Sequence, residues 1–230
     1  MSDKRSVMTI VIDGPVGAGK STIAKSVSDK LGCVHLDTGA MYRAVGFYAL
    51  LKGVDTQNEA DVTKLLQDIH LEVLFHKGLQ ETRLNGQDIT SDIRRPEVSI
   101  AASNVSKWLA VRAEMVRIQR KIAENIPIVA DGRDMGTVVF PNASVKIFLT
   151  ASVHERASRR HRELLRAGSN VSFENVLDDM ILRDTQDSTR QIDPLVKARD
   201  AVQVDTTGLN IPQVVDIILK IAEAAGCEKS

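Results

Sequence analysis

The segment Gly14-Pro-Val-Gly-Ala-Gly-Lys-Ser21 constrains this chain more than any other, because it matches G-x-x-x-x-G-K-[ST] at every specified position. It follows Met8-Thr-Ile-Val-Ile12, an unbroken apolar and β-branched run of the kind buried on both faces of a parallel sheet. An amphipathic stretch follows, so strand, loop and helix stand in the order of a phosphate-binding loop. Gly14, Gly17 and Gly19 allow a tight turn whose N–H groups approach phosphate oxygens, at a helix N-terminus whose dipole favours anions. Lys20 is expected to reach the β- and γ-phosphates of a nucleoside triphosphate, and the Ser21 hydroxyl to hold Mg²⁺.

An α/β rhythm continues from there. Cys33-Val-His-Leu36 reads as a short strand ending in Asp37-Thr-Gly39, and 40–51 as a helix with Tyr42 and Arg43 early on it, close to a strand end where α/β proteins bind ligands. A further helix is expected over 58–70, with Val62, Leu65, Leu66 and Ile69 as its apolar stripe. The rhythm then breaks. The 71–75 and 80–84 runs, with the Asn85-Gly86 hairpin signal before 87–89, predict a small antiparallel insertion over 71–93. Pro96 suits the first turn of a helix to about 107, and Val111, Met115, Ile118 and Ile122 mark the buried stripe of another over 109–125.

Ile128-Val-Ala130 is a buried strand closing on a loop, Asp131-Gly-Arg-Asp-Met-Gly136. An acid at such a strand end resembles the second carboxylate of phosphate-loop enzymes, which acts on Mg²⁺ or its waters. The 145–149 run is a strand. From Ser152 a basic helix runs to Gly168, with Arg156, Arg159 and Arg160 on one face; it reads either as a solvated stripe or as a lid that closes on polyphosphate. A helix over 173–187 carries Arg183, Asp187 and, just beyond, Arg190 at steps of four and three, either a salt-bridge ladder or a set that binds a sugar hydroxyl and a phosphate. A last strand over 201–204 and a helix over 211–225 complete the chain.

Composition excludes several classes. Thirty basic residues balance thirty acidic ones, which argues against general nucleic-acid or membrane binding. Cys33 and Cys227 are too few for a disulfide framework or zinc site and read as free thiols of a cytoplasmic protein. The opening Ser2-Asp-Lys-Arg5 is polar and short, so neither a signal peptide nor a membrane span is expected.

Four segments together are similar to one family. Asp13 through Ser21, Asp37-Thr-Gly-Ala-Met-Tyr-Arg43, Ala130 through Pro141, and Arg183 through Arg190 resemble the bacterial cytidylate kinases, nucleoside monophosphate kinases, and the likeness spans nearly the whole chain. The resemblance implies an α/β P-loop kinase fold: a parallel five-stranded sheet flanked by helices, a small antiparallel β insertion and a mobile helical lid. It divides the chain into a core (7–57, 126–151, 195–226), a monophosphate-binding insertion (58–108) and a lid (152–190).

It also implies γ-phosphoryl transfer from ATP, with Mg²⁺, to CMP or dCMP by a monomer in pyrimidine nucleotide metabolism. On that pattern the ATP site comprises Gly14, Pro15, Val16, Gly17, Ala18, Gly19, Lys20, Ser21 and Thr22, with Arg159 from the lid. Ser103, Arg112 and Asp134 read the cytosine, Arg183 and Asp187 lie near the sugar, and Thr38, Arg43, Arg133 and Arg190 hold the α-phosphate. Tyr42 and Asp131 complete the substrate site, and Lys20, Arg133 and Arg190 are the catalytic set. Thr38 stands where many members have serine, and both supply a hydroxyl. A carboxylate at Asp134 would favour the cytosine amino donor over the uracil carbonyl. Another small-molecule kinase, acting on shikimate or gluconate, is the nearest alternative; a nucleotide-dependent switch is disfavoured by the lack of an Asn-Lys-x-Asp guanine-reading motif.

Overall fold

The computed structural model describes residues 7–227; the polar Ser2–Arg5 stretch lies outside them. The chain runs β1 (Thr9–Asp13), α1 (Lys20–Leu31), β2 (Val34–Asp37), α2 (Thr38–Leu51), α3 (Glu59–Leu65), β3 (Leu71–His76), β4 (Leu79–Leu84), β5 (Gln87–Asp88), α4 (Pro96–Val105) and α5 (Leu109–Ala123). It continues with β6 (Ile128–Gly132), β7 (Val145–Thr150), α6 (Val153–Arg166), α7 (Phe173–Thr189), β8 (Val202–Asp205) and α8 (Ile211–Ala224). Among the described residues no helix is long and apolar enough to cross a membrane.

Five strands form one sheet in the order β2-β6-β1-β7-β8, and every pairing in it is parallel. The β-branched run of β1 explains its central place. Ile10 and Ile12 point into a core with Ile23, Val27, Val214 and Ile218 from α1 and α8, while Val11 points into the opposite core with Leu36, Met41, Val45 and Met115. Complete burial of each such side chain contributes about 1.5–3 kcal/mol, so both faces hold the strand in place. Because β6 and β7 flank β1, the chain leaves the sheet centre in opposite directions at the carboxyl end of β1, the point where open α/β sheets bind ligands.

The β3-β4-β5 sheet is antiparallel, and Asn85 and Gly86 form its second turn at φ 51° and 83°, as the hairpin signal predicts. The insertion does not have a core of its own: Leu71, Leu84, Ile89, Ile93 and Val98 join the cluster that holds Val11 and Leu36. Two expectations are corrected. The 58–70 helix stops at Leu65 and ends in a 3-10 turn over Leu66–Asp68, because Asn85 takes up the exit backbone, donating to Asp68 O at 2.9 Å and accepting from His70 N at 2.7 Å. Residues 131–136 are not a plain loop. Asp131 and Gly132 extend β6, and Met135–Val139 form a π-helical turn whose first two N–H groups, on Met135 and Gly136, donate to the Asp13 carboxylate at 2.8 Å each.

Candidate active site

The phosphate loop turns at Gly14, Gly17 and Gly19, all at positive φ, and Lys20 and Ser21 open α1. Gly14 (φ 151°) lies so close to β7 that an added Cβ would stand 2.2 Å from the Leu149 carbonyl oxygen. The Lys20 ammonium folds back over the loop and donates to Pro15 O at 2.8 Å. Burial pushes it down to about 7, Arg133 adds to the effect, and Asp131, Asp187 and Asp13 oppose it. Burial also pushes the Asp13 carboxyl up to about 6, against the two N–H groups that stabilise its anion.

Asp131, at the end of β6, joins the two halves of the cleft. Its Oδ2 accepts from Ser21 Oγ at 2.8 Å, its Oδ1 lies 2.6 Å from His35 Nε2, and its carbonyl oxygen accepts from Thr38 Oγ1 at 2.6 Å. The Ser21 hydroxyl and the Asp131 carboxylate are adjacent hard oxygen donors beside a phosphate loop, a donor set that fits Mg²⁺. Among the described residues no three His, Cys, Asp or Glu side chains cluster as a metal cage.

Beyond Asp131 stands a set of charged side chains supplied by several segments. Asp37 caps α2 by accepting from Ala40 N at 2.9 Å, and it also pairs with Arg43 and Arg94 at 3.0 Å each. Burial would raise its carboxyl, but Arg43, Arg94 and His35 outweigh burial and hold it below the usual range. Deeper in, Arg112 is 1% exposed and Asp134 3%; the two are ion-paired, and Arg112 Nε donates to Asp193 Oδ2 at 2.6 Å. The Arg112 guanidinium also lies over the Tyr42 ring, 5.7 Å from its centroid. Burial pushes the Asp134 carboxyl up, while Arg112 and Arg190 pull against it.

Arg133 Nε donates to Asp187 Oδ2 at 2.6 Å, and Arg190 Nε to Asp193 O at 2.6 Å. Arg190 Nη2 lies 3.4 Å from Asp134 Oδ1 without the alignment of a hydrogen bond. Together with Tyr42 Oη and Arg43 Nε, it is buried with no hydrogen-bond partner among the described residues. Three polar atoms left over in one cleft are what a polar ligand would satisfy.

Of the sequence-predicted residues, Tyr42, Arg112, Asp134 and Arg190 form one contact group, Arg133 with Asp187 a second and Thr38 with Asp131 a third, while Arg43 pairs with Asp37. Ser103 Oγ donates to Gln186 Oε1 at 3.2 Å, and the Arg183 side chain makes no hydrogen bond or ion pair among the described residues.

Arg156, Arg159 and Arg160 do not form the bare like-charge face that their spacing suggests. Arg156 donates to Val16 O and pairs with Asp184, both at 2.7 Å. Arg159 donates to Glu155 at 2.9 Å and to Thr206 O at 2.8 Å, and Arg160 pairs with Glu163 at 3.2 Å. Each charge is balanced locally, so mutual repulsion is not what would move this segment.

Sequence reasoning missed Asp184, whose Oδ1 accepts from Val16 N at 3.1 Å, and also His35, Asp37, Arg94 and Asp193. Asp193 had a detectable signal: an Asp before Pro194 marks a turn, and its φ is 48°. Asp37 also had a local signal, as the N-cap of α2 with Arg43 six positions on, whereas Asp184, His35 and Arg94 depend on contacts between remote segments.

A family model described as cytidylate kinase matches residues 10–224. The chain is 49% identical to the cytidylate kinase of Thermosipho melanesiensis over 93% of this chain and 96% of that one. It is 45% identical to the cytidylate kinase of Bacillus subtilis over 94% and 96% of the two chains. A solved structure of an uncharacterised protein from Eubacterium ventriosum covers 94% of this chain and 98% of its own, with a TM-score of 0.52 at 12% identity, a likeness of fold.

Proposed function

The chain belongs to the cytidylate kinase family, and we propose that it transfers the γ-phosphoryl group of ATP to CMP or dCMP, releasing ADP and CDP or dCDP. The observation that carries this reading is the acceptor cleft. Four arginines, Arg43, Arg112, Arg133 and Arg190, stand there with Asp134 and with three buried polar atoms lacking partners, next to a phosphate loop.

In this reading the loop from Gly14 to Thr22 binds the ATP phosphates, Lys20 neutralises the β- and γ-oxygens, and Arg159 adds charge from the lid. Ser21 and Asp131 would hold Mg²⁺, which when bound supplies further positive charge to the transferring group. Thr38, Arg43, Arg133 and Arg190 orient the α-phosphate of the acceptor. Ser103, Arg112 and Asp134 read the base, with Tyr42 against it and Arg183 and Asp187 at the sugar. The acceptor oxygen is already anionic, so alignment and charge neutralisation lower the barrier and no general base is required. A monomer acting in the cytoplasm is consistent with the two free thiols, and the even charge balance supports a small-molecule acceptor over nucleic acid.

ADP release from ATP, followed with CMP, dCMP, UMP, AMP, GMP, shikimate and gluconate in turn, tests the reading. Rapid release is expected with CMP and dCMP, and UMP should be slower by roughly a hundredfold because an unpaired buried group costs about 1–3 kcal/mol on each side. Faster turnover with shikimate or gluconate, or equal ATP consumption with no acceptor, would replace this reading with another kinase or a nucleotide switch.

A further inference from the structure

We propose that His35 is a positioning residue for phosphoryl transfer: its imidazole holds the Asp131 carboxylate toward Ser21 and the metal side of the cleft. The inference rests on the assignment of Asp131 to the Mg²⁺ site.

His35 lies on β2, the edge strand beside β6, and its backbone is level with Val129, two residues before Asp131. The ring reaches along the sheet to place Nε2 2.6 Å from Asp131 Oδ1, with the two side chains 11% and 6% exposed. A carboxylate oxygen accepts, so Nε2 is the donor, and the contact fixes both the ring tautomer and the carboxylate rotation. With Oδ1 occupied by His35, Oδ2 is left to Ser21 Oγ at 2.8 Å.

The alternative partners explain why a holder is needed. Lys20, Arg43 and Arg133 all feel the Asp131 charge. A carboxylate free to rotate would pair with one of these cations, which the phosphates also require. His35 approaches from the neighbouring strand, β2, and is not one of these cations. Partners that orient a metal-side ligand in this way are worth about 10–100-fold in metal affinity or activity when removed.

The test is the effect of Mg²⁺ on binding of a non-hydrolysable ATP analogue, measured by calorimetry with and without the ion. In the wild type Mg²⁺ tightens binding by some factor. His35→Leu should reduce that factor about tenfold while metal-free affinity stays within about twofold. His35→Gln, whose side-chain amide can still donate to Oδ1, should restore it to within about threefold of wild type. In steady state His35→Leu should lower kcat at saturating MgATP and leave the KM for CMP within about twofold. Should the leucine variant not fold, His35→Asn, whose amide is too short to reach, replaces it in the comparison.

A factor within twofold of wild type in the non-donating variant, or a glutamine variant no better than leucine, overturns the proposal. Asp131→Asn separates the two layers. If it also keeps the wild-type factor, the metal role of Asp131 fails. If it loses the factor and His35→Leu does not, that role stands and His35 only fills space.

Discussion

The donor and acceptor halves of the cleft hold charge in different ways. On the donor side the groups proposed to face phosphate are main-chain N–H groups of the Gly14–Ser21 loop, the start of α1 and the Lys20 ammonium. On the acceptor side they are side chains from α2, α5, the segment just after β6, α7 and the 190–193 segment, and most are already paired: Arg43 with Asp37, Arg112 with Asp134 and Asp193, Arg133 with Asp187. A backbone cradle has no net charge to balance and needs only the right φ and ψ. Buried guanidiniums are another matter, since each uncompensated ion costs several kcal/mol, so that half must carry its own carboxylates. On the proposed reading, substrate binding there is an exchange of partners. The donor side should therefore be sensitive to loop geometry and one charge, and the acceptor side to charge balance and hydrogen-bond direction.

Lys20→Ala is the largest perturbation this contrast predicts. Loss of a desolvated charge from the transferring phosphate should lower kcat by about three orders of magnitude or more. The fold should survive and gain in acid. Lys20 has a folded-state value near 7 against an ordinary 10.5, so stability is lost as pH falls from about 10.5 to about 7 and the full cost of the buried charge is present below 7; the variant should melt higher than wild type at pH 6, as calorimetry would show. More than a tenth of wild-type turnover would remove Lys20 from the transfer step.

Gly14→Ala tests the geometric side of the same half. The new Cβ would meet the Leu149 carbonyl at 2.2 Å, and both partners are backbone, so neither can turn aside. A loss of about 2–4 kcal/mol, or a Tm lower by roughly 5–10 °C, is expected. An unchanged Tm would mean that the loop is less tightly held to β7 than the geometry indicates.

The pH dependence should separate the halves. Free enzyme loses the Lys20 proton above about 7, so kcat/KM for ATP should fall toward tenfold per pH unit there. The value of kcat should be flatter, because bound phosphate restores the ammonium, and kcat/KM for CMP at saturating ATP should follow kcat. Equal steep declines for ATP and CMP would show that an acceptor-side group governs the profile.

The same contrast decides what could be read from the chain alone. The donor loop was legible because its eight-residue motif and the β-branched run before it are local, and local φ, ψ and periodicity suffice to build it. The parallel sheet and the hairpin at Asn85-Gly86 were legible for the same reason. The acceptor residues Arg112, Asp134, Asp187 and Arg190 were named through family resemblance, and their ion pairs, Arg112 and Arg190 with Asp134 and Asp187 with Arg133, join α5, α7 and the segment after β6 across long stretches of chain. The partners of Arg156 show the limit most clearly. Helical spacing put it with Arg159 and Arg160, whereas a carboxylate 28 positions later and the Val16 carbonyl take up its guanidinium. The 3-10 break at Leu66 and the π-helical turn at Met135 were likewise set by remote side chains, Asn85 and Asp13.

Base choice by the acceptor network is the central claim, and the ratio of kcat/KM for CMP to that for UMP, in wild type and in Asp134→Asn, tests it most directly. An ionised Asp134 only accepts and Arg112 only donates, so the pair suits cytosine and meets uracil with an acceptor against an acceptor. An asparagine amide can face either base. The ratio should fall at least about tenfold, equivalent to about 1.4 kcal/mol, chiefly through poorer use of CMP and with the KM for ATP unchanged. Equal slowing of CMP and UMP would contradict the account and leave Asp134 as a support for Arg112 and Arg190, not a reader of the base.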